Sequence, residues 1–200
     1  MLVRGEPLPA VAGDDVALPA LGVIDAQGLL TDVPFVASPN CDERPQGEVS
    51  VIVVHAISLP PEQFGGPGVE QLFTNRLDSE EDPYYLGIRD LRVSAHFFIR
   101  RDGSVIQFVP TLARAWHAGL SNWCGRERCN DFSVGIELEG SDNQPFETAQ
   151  YPVLAALIAA LAQRHSIADV VGHSDIAPGR KTDPGPFFDW DLLTRLLAVL

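Results

Sequence analysis

Apolar and polar positions divide this chain into segments with two different periods. Residues 50–55 (SVIVVH) place four β-favouring apolar residues in a row, which predicts a central strand buried on both faces, with His55 at its C-terminal end. In residues 133–139 (SVGIELE) the pattern alternates. Val134, Ile136 and Leu138 point one way; Gly135, Glu137 and Glu139 point the other. Residues 94–100 and 105–110 are two more strand-like runs separated by RDGS. Asp-Gly favours a two-residue turn with φ > 0 at both central positions, so the pair predicts a β-hairpin. A short apolar run at 167–171 adds another strand.

Helical spacing governs residues 148–165, where Tyr151, Leu154, Leu157, Ile158, Leu161 and Ala162 form an apolar stripe. Glu147 or Thr148 is expected to open this helix. Arg164 and His165 close it, where positive charge suits the helix dipole. Residues 189–199 predict a last helix, capped by Asp189 and burying Trp190, Leu193, Leu196 and Leu197. Shorter helices are expected at 69–74 and, opened by an Asp82 cap and Pro83 in the first turn, up to about residue 90. The order of strand, helix, hairpin, strand, helix, strand, helix predicts one α/β domain whose mixed central sheet is flanked by helices.

Three stretches lack such a period. Residues 1–37 are rich in Pro and Gly and are read as an irregular N-terminal arm, with a frayed start and a short strand near Leu29. The domain itself then spans 38–200. Residues 60–83, rich in Gly, Pro and acids, read as an insertion on the rim of a site. Residues 172–186 (GHSDIAPGRKTDPGP) carry a His, a Lys and an Asp between Pro and Gly residues, so a shaped loop is expected there, neither helix nor strand.

Composition narrows the function. The net charge of −13 disfavours sequence-independent nucleic-acid binding, which needs a basic face. The few cations are gathered in pairs: Arg100 with Arg101, Arg126 with Arg128, Arg180 with Lys181. They leave room for an anionic small-molecule substrate. Cys41, Cys124 and Cys129 are an odd number without zinc-finger spacing and read as incidental thiols. No apolar run is long enough for a membrane span, and the first residues lack the pattern of a signal peptide, so a cytoplasmic protein is expected. Nothing in the sequence speaks for a membrane partner, and a monomer is the expected state.

The groups at predicted strand ends and in the shaped loop are His55, Glu137, His173, Lys181 and Asp183. Two His and one Asp suit Zn2+ with a fourth position open, the donor set of a catalytic site. A nearby Glu suits proton transfer, and a Lys suits stabilisation of an oxyanion. Together they describe hydrolysis of an amide. A structural role for each residue stays open at this level: there is no local His-Glu-x-x-His motif, and spacing alone does not bring remote ligands together. His96 and His165 are read as structural.

VIVVHAIS, LRVSAHFFIRRDG, RAWHAG, GRERCNDFSVGIELEG and GHSDIAPGRKTDPGPFFDW resemble the AmpD family, over residues 38–190. These are bacterial cytosolic 1,6-anhydro-N-acetylmuramyl-L-alanine amidases within the zinc-dependent type-two amidase and peptidoglycan-recognition group. The resemblance implies that group's fold. It implies His55, His173 and Asp183 as zinc ligands, and Glu137 and Lys181 as catalytic residues. It implies Arg92, Arg128, Trp116 and His117 as substrate contacts. The implied substrate is an anhydro-muropeptide, and the implied bond joins the lactyl group of anhydro-N-acetylmuramic acid to L-alanine. Ala56 departs from the family, where Asn usually follows the first zinc His. Two rival readings are an amidase of polymeric peptidoglycan and a peptidoglycan-binding module without catalysis.

Overall fold

A computed structural model of the chain describes residues 2–7 and 18–199. In chain order its strands are β1 (Leu2–Val3), β2 (Glu6–Pro7), β3 (Cys41–Glu43), β4 (Val51–Ile57), β5 (Phe97–Ile99), β6 (Val105–Gln107), β7 (Ala113–Ala115), β8 (Asn122–Trp123), β9 (Arg126–Glu127), β10 (Ser133–Glu139) and β11 (Asp169–Gly172). The helices are α1 (Gly68–Phe73), α2 (Pro83–Ile88), α3 (Gln150–Arg164), α4 (His173–Ile176) and α5 (Trp190–Ala198). The main sheet runs β2-β1-β11-β4-β10-β5-β6. Its central pairings are parallel, and the outermost strands β2 and β6 are antiparallel to their neighbours. This is the mixed α/β sheet that the pattern predicts.

Both faces of the sheet are covered. Ile52, Val54, Val134, Ile136 and Leu138 pack on one face against Leu154, Leu157, Ile158 and Leu161 of α3 and Leu193, Leu196 and Leu197 of α5. Val51, Val53 and Val171 pack on the other against Ala118, Phe132 and Ile176. A buried Leu contributes about 1.5–3 kcal/mol by leaving water, so these layers fix the strand register firmly. That register places Glu137 directly opposite His55, and Gly172 opposite Val54. Three neighbouring parallel strands therefore deliver His55, Glu137 and the start of the 172–186 loop to one place.

Several expectations change in detail. The hairpin turn is longer than two residues: Arg100 N donates to Ser104 O, and only Gly103 within it has a positive φ (+85°). Gly takes the left-handed position, so Asp102 is free to cap the Ser104 amide. Helix α3 opens at Gln150, not at residue 147 or 148. Pro152 has no N–H to give to the carbonyl of Thr148, so the first turn must start later. Ala162 faces solvent, and Ala155 fills the stripe instead.

His165 donates or accepts at Thr111 Oγ1 (2.9 Å), and burial pushes its imidazole down to about 4. It is neutral near pH 7 and brings no charge to the helix end. Where a frayed start is expected, Leu2 and Val3 pair in parallel with Asp169 and Val170, covering the otherwise open edge of β11; residues 1 and 8–17 of the arm lie outside the described residues. The bridge Ile24–Leu30 is the short extended piece near Leu29. The first four residues after Gly172 form one helical turn, α4, so the shaped loop is part helix. Among the described residues no helix is long and apolar enough to cross a membrane.

Candidate metal centre

His55 lies two residues before the end of β4 and is 1 % exposed; His173 opens α4 and is 3 % exposed. Asp183 arrives from the far end of the loop, which is tied back by Ser174 N donating to Asp183 O (2.9 Å). The result is a compact triangle. His55 Nδ1 and His173 Nδ1 are 3.0 Å apart, and each is 3.1 Å from Asp183 Oδ2.

The far nitrogens explain why this triangle suits a cation. His173 Nε2 faces the carbonyl oxygen of Ala118 at 3.1 Å. A carbonyl only accepts, so Nε2 carries the proton and Nδ1 of the neutral ring presents a lone pair. That lone pair points at a second imidazole nitrogen and at a carboxylate oxygen. Such a set repels itself unless a proton or a metal ion sits among its members. Zn–N and Zn–O bonds of about 2.0–2.2 Å are compatible with donors at these separations. His55, His173 and Asp183 are thus a donor set that fits a divalent cation.

The electrostatics agree. Burial pushes the His55 imidazole down to about 4, which keeps it neutral and able to ligate. Burial would raise the Asp183 carboxyl, but the neighbouring His173 and His55 outweigh it and hold the group well below the usual carboxylate range. Glu137 behaves oppositely. Its Oε1 is 4.0 Å from His55 Nδ1, and its buried Oε2 has no hydrogen-bond partner among the described residues. Burial, and then the charge of Asp183, raise its pKa well above the ordinary value, while Lys181 pulls it down. A carboxyl so placed, aimed at the triangle with one oxygen uncommitted, suits proton transfer. Lys181 is exposed, on the loop between His173 and Asp183, and its charge acts on both His55 and Glu137.

The other expected residues are more scattered. Arg128 is 69 % exposed, adopts a left-handed backbone (φ 63°) and contacts Asp131 (3.3 Å). It lines a cavity of about 360 Å³ with Leu120 and with Ile176 of α4. Arg92 is exposed, with its guanidinium donating to the carbonyls of Arg89 and Leu91. Trp116 is half-buried, and its indole helps Arg114 to lower the Asp42 pKa.

His117, expected as a substrate contact beside Trp116, is half-buried and turns its ring toward the cluster. It packs behind His55, with Nδ1 2.9 Å from His55 Nε2 and Nε2 3.2 Å from Ser133 Oγ, so both ring nitrogens are engaged inside the fold. Ser133 was missed by sequence reasoning. The available signal was Gly135 between Ser133 and Glu137 on one face of β10: the missing side chain is what lets His117 approach.

His96, read as structural, is fully buried; its Nδ1 accepts from Gly135 N and its Nε2 faces Ala113 O. Glu139, on the same strand face as Glu137, accepts from Gly65 N (2.5 Å) and Arg101 N (3.1 Å), pinning the 60–67 rim and the hairpin to β10.

Comparisons with known proteins point the same way. The family profile described as Amidase_2, N-acetylmuramoyl-L-alanine amidase, matches residues 45–186. The chain is 56 % identical over 175 residues to the 1,6-anhydro-N-acetylmuramyl-L-alanine amidase AmpD of Citrobacter freundii, covering 86 % of this chain and 94 % of that one. A crystal structure of a selenomethionine derivative of AmpD superposes with a TM-score of 0.85 at 53 % identity, over 88 % of this chain and 99 % of that one. A second similar structure is the Escherichia coli N-acetylmuramyl-L-alanine amidase AmiD in complex with the substrate anhydro-N-acetylmuramic acid-L-Ala-D-γ-Glu-L-Lys. Its TM-score is 0.55 at 30 % identity, over 88 % of this chain and 65 % of that one.

Proposed function

The chain belongs to the N-acetylmuramoyl-L-alanine amidase family, and from that premise we propose that it is a zinc-dependent hydrolase of peptidoglycan recycling. It cuts the amide between anhydro-N-acetylmuramic acid and L-alanine in muropeptides of the cytosol. The observation that carries this reading is the buried triangle of His55, His173 and Asp183, with Glu137 Oε1 4.0 Å from one of its corners.

His55, His173 and Asp183 would hold the ion through Nδ1, Nδ1 and Oδ2. Zinc in such a site supplies Lewis acidity and lowers the pKa of bound water to about 7. Glu137 takes a proton from the attacking water and later delivers it to the departing nitrogen of L-alanine; general acid–base catalysis of this kind contributes about 10²–10⁴-fold. A C–O bond forms at the lactyl carbonyl, and the C–N bond breaks. The products are a carboxylate on the sugar and a free amino terminus on the peptide. Lys181 stabilises the charge that develops on the carbonyl oxygen.

Arg92 and Arg128 pair with carboxylates of the peptide stem, for which a planar guanidinium is well suited. Trp116 lines the groove. Residues 38–200 act as the amidase domain, with 1–37 as an appended arm, and the enzyme works as a monomer. The presence of metal donors, Glu137 and Lys181 in one chain favours an enzyme over a binding module.

The test is a mass analysis of products from two substrates. Soluble anhydro-muropeptide is expected to yield free stem peptide beginning with L-alanine, and intact sacculi to yield little. Efficient release of stem peptides from sacculi would instead make polymeric peptidoglycan the substrate.

A further inference from the structure

The cluster is backed by a chain of hydrogen bonds whose direction follows from its far end. Ser133 Oγ lies 2.6 Å from the carbonyl oxygen of Cys129. Only the serine has a proton to place between those two oxygens, so its hydroxyl donates to Cys129. The hydroxyl then shows a lone pair to His117 Nε2, 3.2 Å away, and that nitrogen must be the protonated one. Neutral His117 is left with a bare Nδ1, 2.9 Å from His55 Nε2. His55 can only donate there, so its own Nδ1 is bare and faces His173 and Asp183.

We propose that His117 is a positioning residue for the metal centre: by accepting the His55 Nε2 proton it fixes the tautomer and the ring plane in which His55 Nδ1 can ligate. The inference rests on reading His55, His173 and Asp183 as metal ligands. The rings of His55 and His117 stand nearly perpendicular, at 88°, with centroids 5.0 Å apart, as suits an in-plane N–H meeting a lone pair. The backbone of His117 is held from the other side: His117 N and Ala118 N both donate to Asn130 Oδ1, at 3.1 and 2.8 Å.

Strand β10 supplies the rest from alternate positions on one face. Ser133 orients the proton of His117, Gly135 leaves it space, and Glu137 faces the cluster. A Cβ on Gly135 would fall 2.5 Å from His117 Cγ and 2.6 Å from its Nδ1, a separation that no folded chain tolerates. A histidine serving only to fill space needs neither the bare Nδ1 nor the hydroxyl behind it.

The experiment measures zinc affinity by competition with a chelator for the wild-type chain, His117→Phe and His117→Asn. Phe keeps the ring without an acceptor; Asn places a carbonyl oxygen close to the position of Nδ1. Loss of an outer partner of a ligating His typically weakens metal binding by about 10–100-fold. That loss is expected for His117→Phe, with His117→Asn restoring most of the affinity. Nitrogen-15 correlation spectra of the wild-type imidazoles are expected to show His117 and His55 both protonated on Nε2. Should His117→Phe fail to fold, Ser133→Ala is expected to leave His117 as a mixture of tautomers and to weaken zinc binding by a smaller factor.

Equal affinities in the wild-type chain and His117→Phe would overturn the proposal, as would equal losses in the Phe and Asn variants, or a His117 protonated on Nδ1. Failure of the wild-type chain to bind zinc would instead overturn the ligand assignment beneath it.

Discussion

Glu137 and His165 show burial acting on single ionisable groups for different ends. Glu137 is buried with one oxygen free, which costs stability and leaves a carboxyl able to exchange a proton beside the ligands. Glu137→Gln keeps the shape and removes that capacity. It is expected to retain bound zinc while kcat falls by about 10²–10⁴-fold; zinc analysis and steady-state kinetics on one preparation test both halves.

His165 is held neutral at the end of α3, its imidazole near 4, first by burial and then by Arg164 and Arg44. In the unfolded chain it titrates near 6.5. Between those values the unfolded state binds more protons, so stability rises with pH through the window and is lost as pH falls from about 6.5 toward 4. His55, His96 and His117 are also pushed down by burial and add to the slope in metal-free protein. In His165→Gln, melting temperature is expected to fall less steeply over this range than in the wild-type chain. Parallel curves would contradict the assignment.

Elements matter here because register converts strand positions into a site. The layer of α3 against β4 and β10 holds that register, and Leu154 is fully buried within it. Leu154→Ala is expected to cost about 2–5 kcal/mol by chemical denaturation. Gly103→Ala forces a side chain into a left-handed turn, with its Cβ 3.2 Å from the carbonyl of Ala149, and is expected to cost about 1–2 kcal/mol.

Most of this layering was legible in the sequence, because apolar period reports directly which face of a strand or helix is buried. The runs at β4 and β10 placed His55 and Glu137 correctly on strands, and parallel pairing did the rest. The groups that sequence missed act through loops. His117, named only as a substrate contact, reaches His55 from a segment with no period, and Leu2 and Val3 close a sheet edge 167 positions away. Pro152 shifted the start of α3 through a missing N–H, a local signal that the apolar stripe conceals. Glu139 shares a strand face with Glu137 in the sequence pattern, and only packing reveals that it pins two loops.

At the scale of the whole molecule, an acidic chain of net charge −13 buries His55, Glu137 and His173 together in one cluster. Three donors from β4, α4 and the loop before Pro184 are drawn within 3.1 Å of one another. A folded state that binds an ion absent from the unfolded chain gains stability by mass action, about 4.1 kcal/mol at a thousandfold excess over Kd. Chelation is therefore expected to lower the melting temperature as well as abolish amide cleavage, and added Zn2+ to restore both. The measurement that tests the account most directly is zinc content after dialysis of the wild-type chain and of Asp183→Ala, prepared side by side. The account predicts a single zinc per wild-type chain and nearly none in the variant. Equal zinc in the two, with equal cleavage of anhydro-muropeptide, would contradict it.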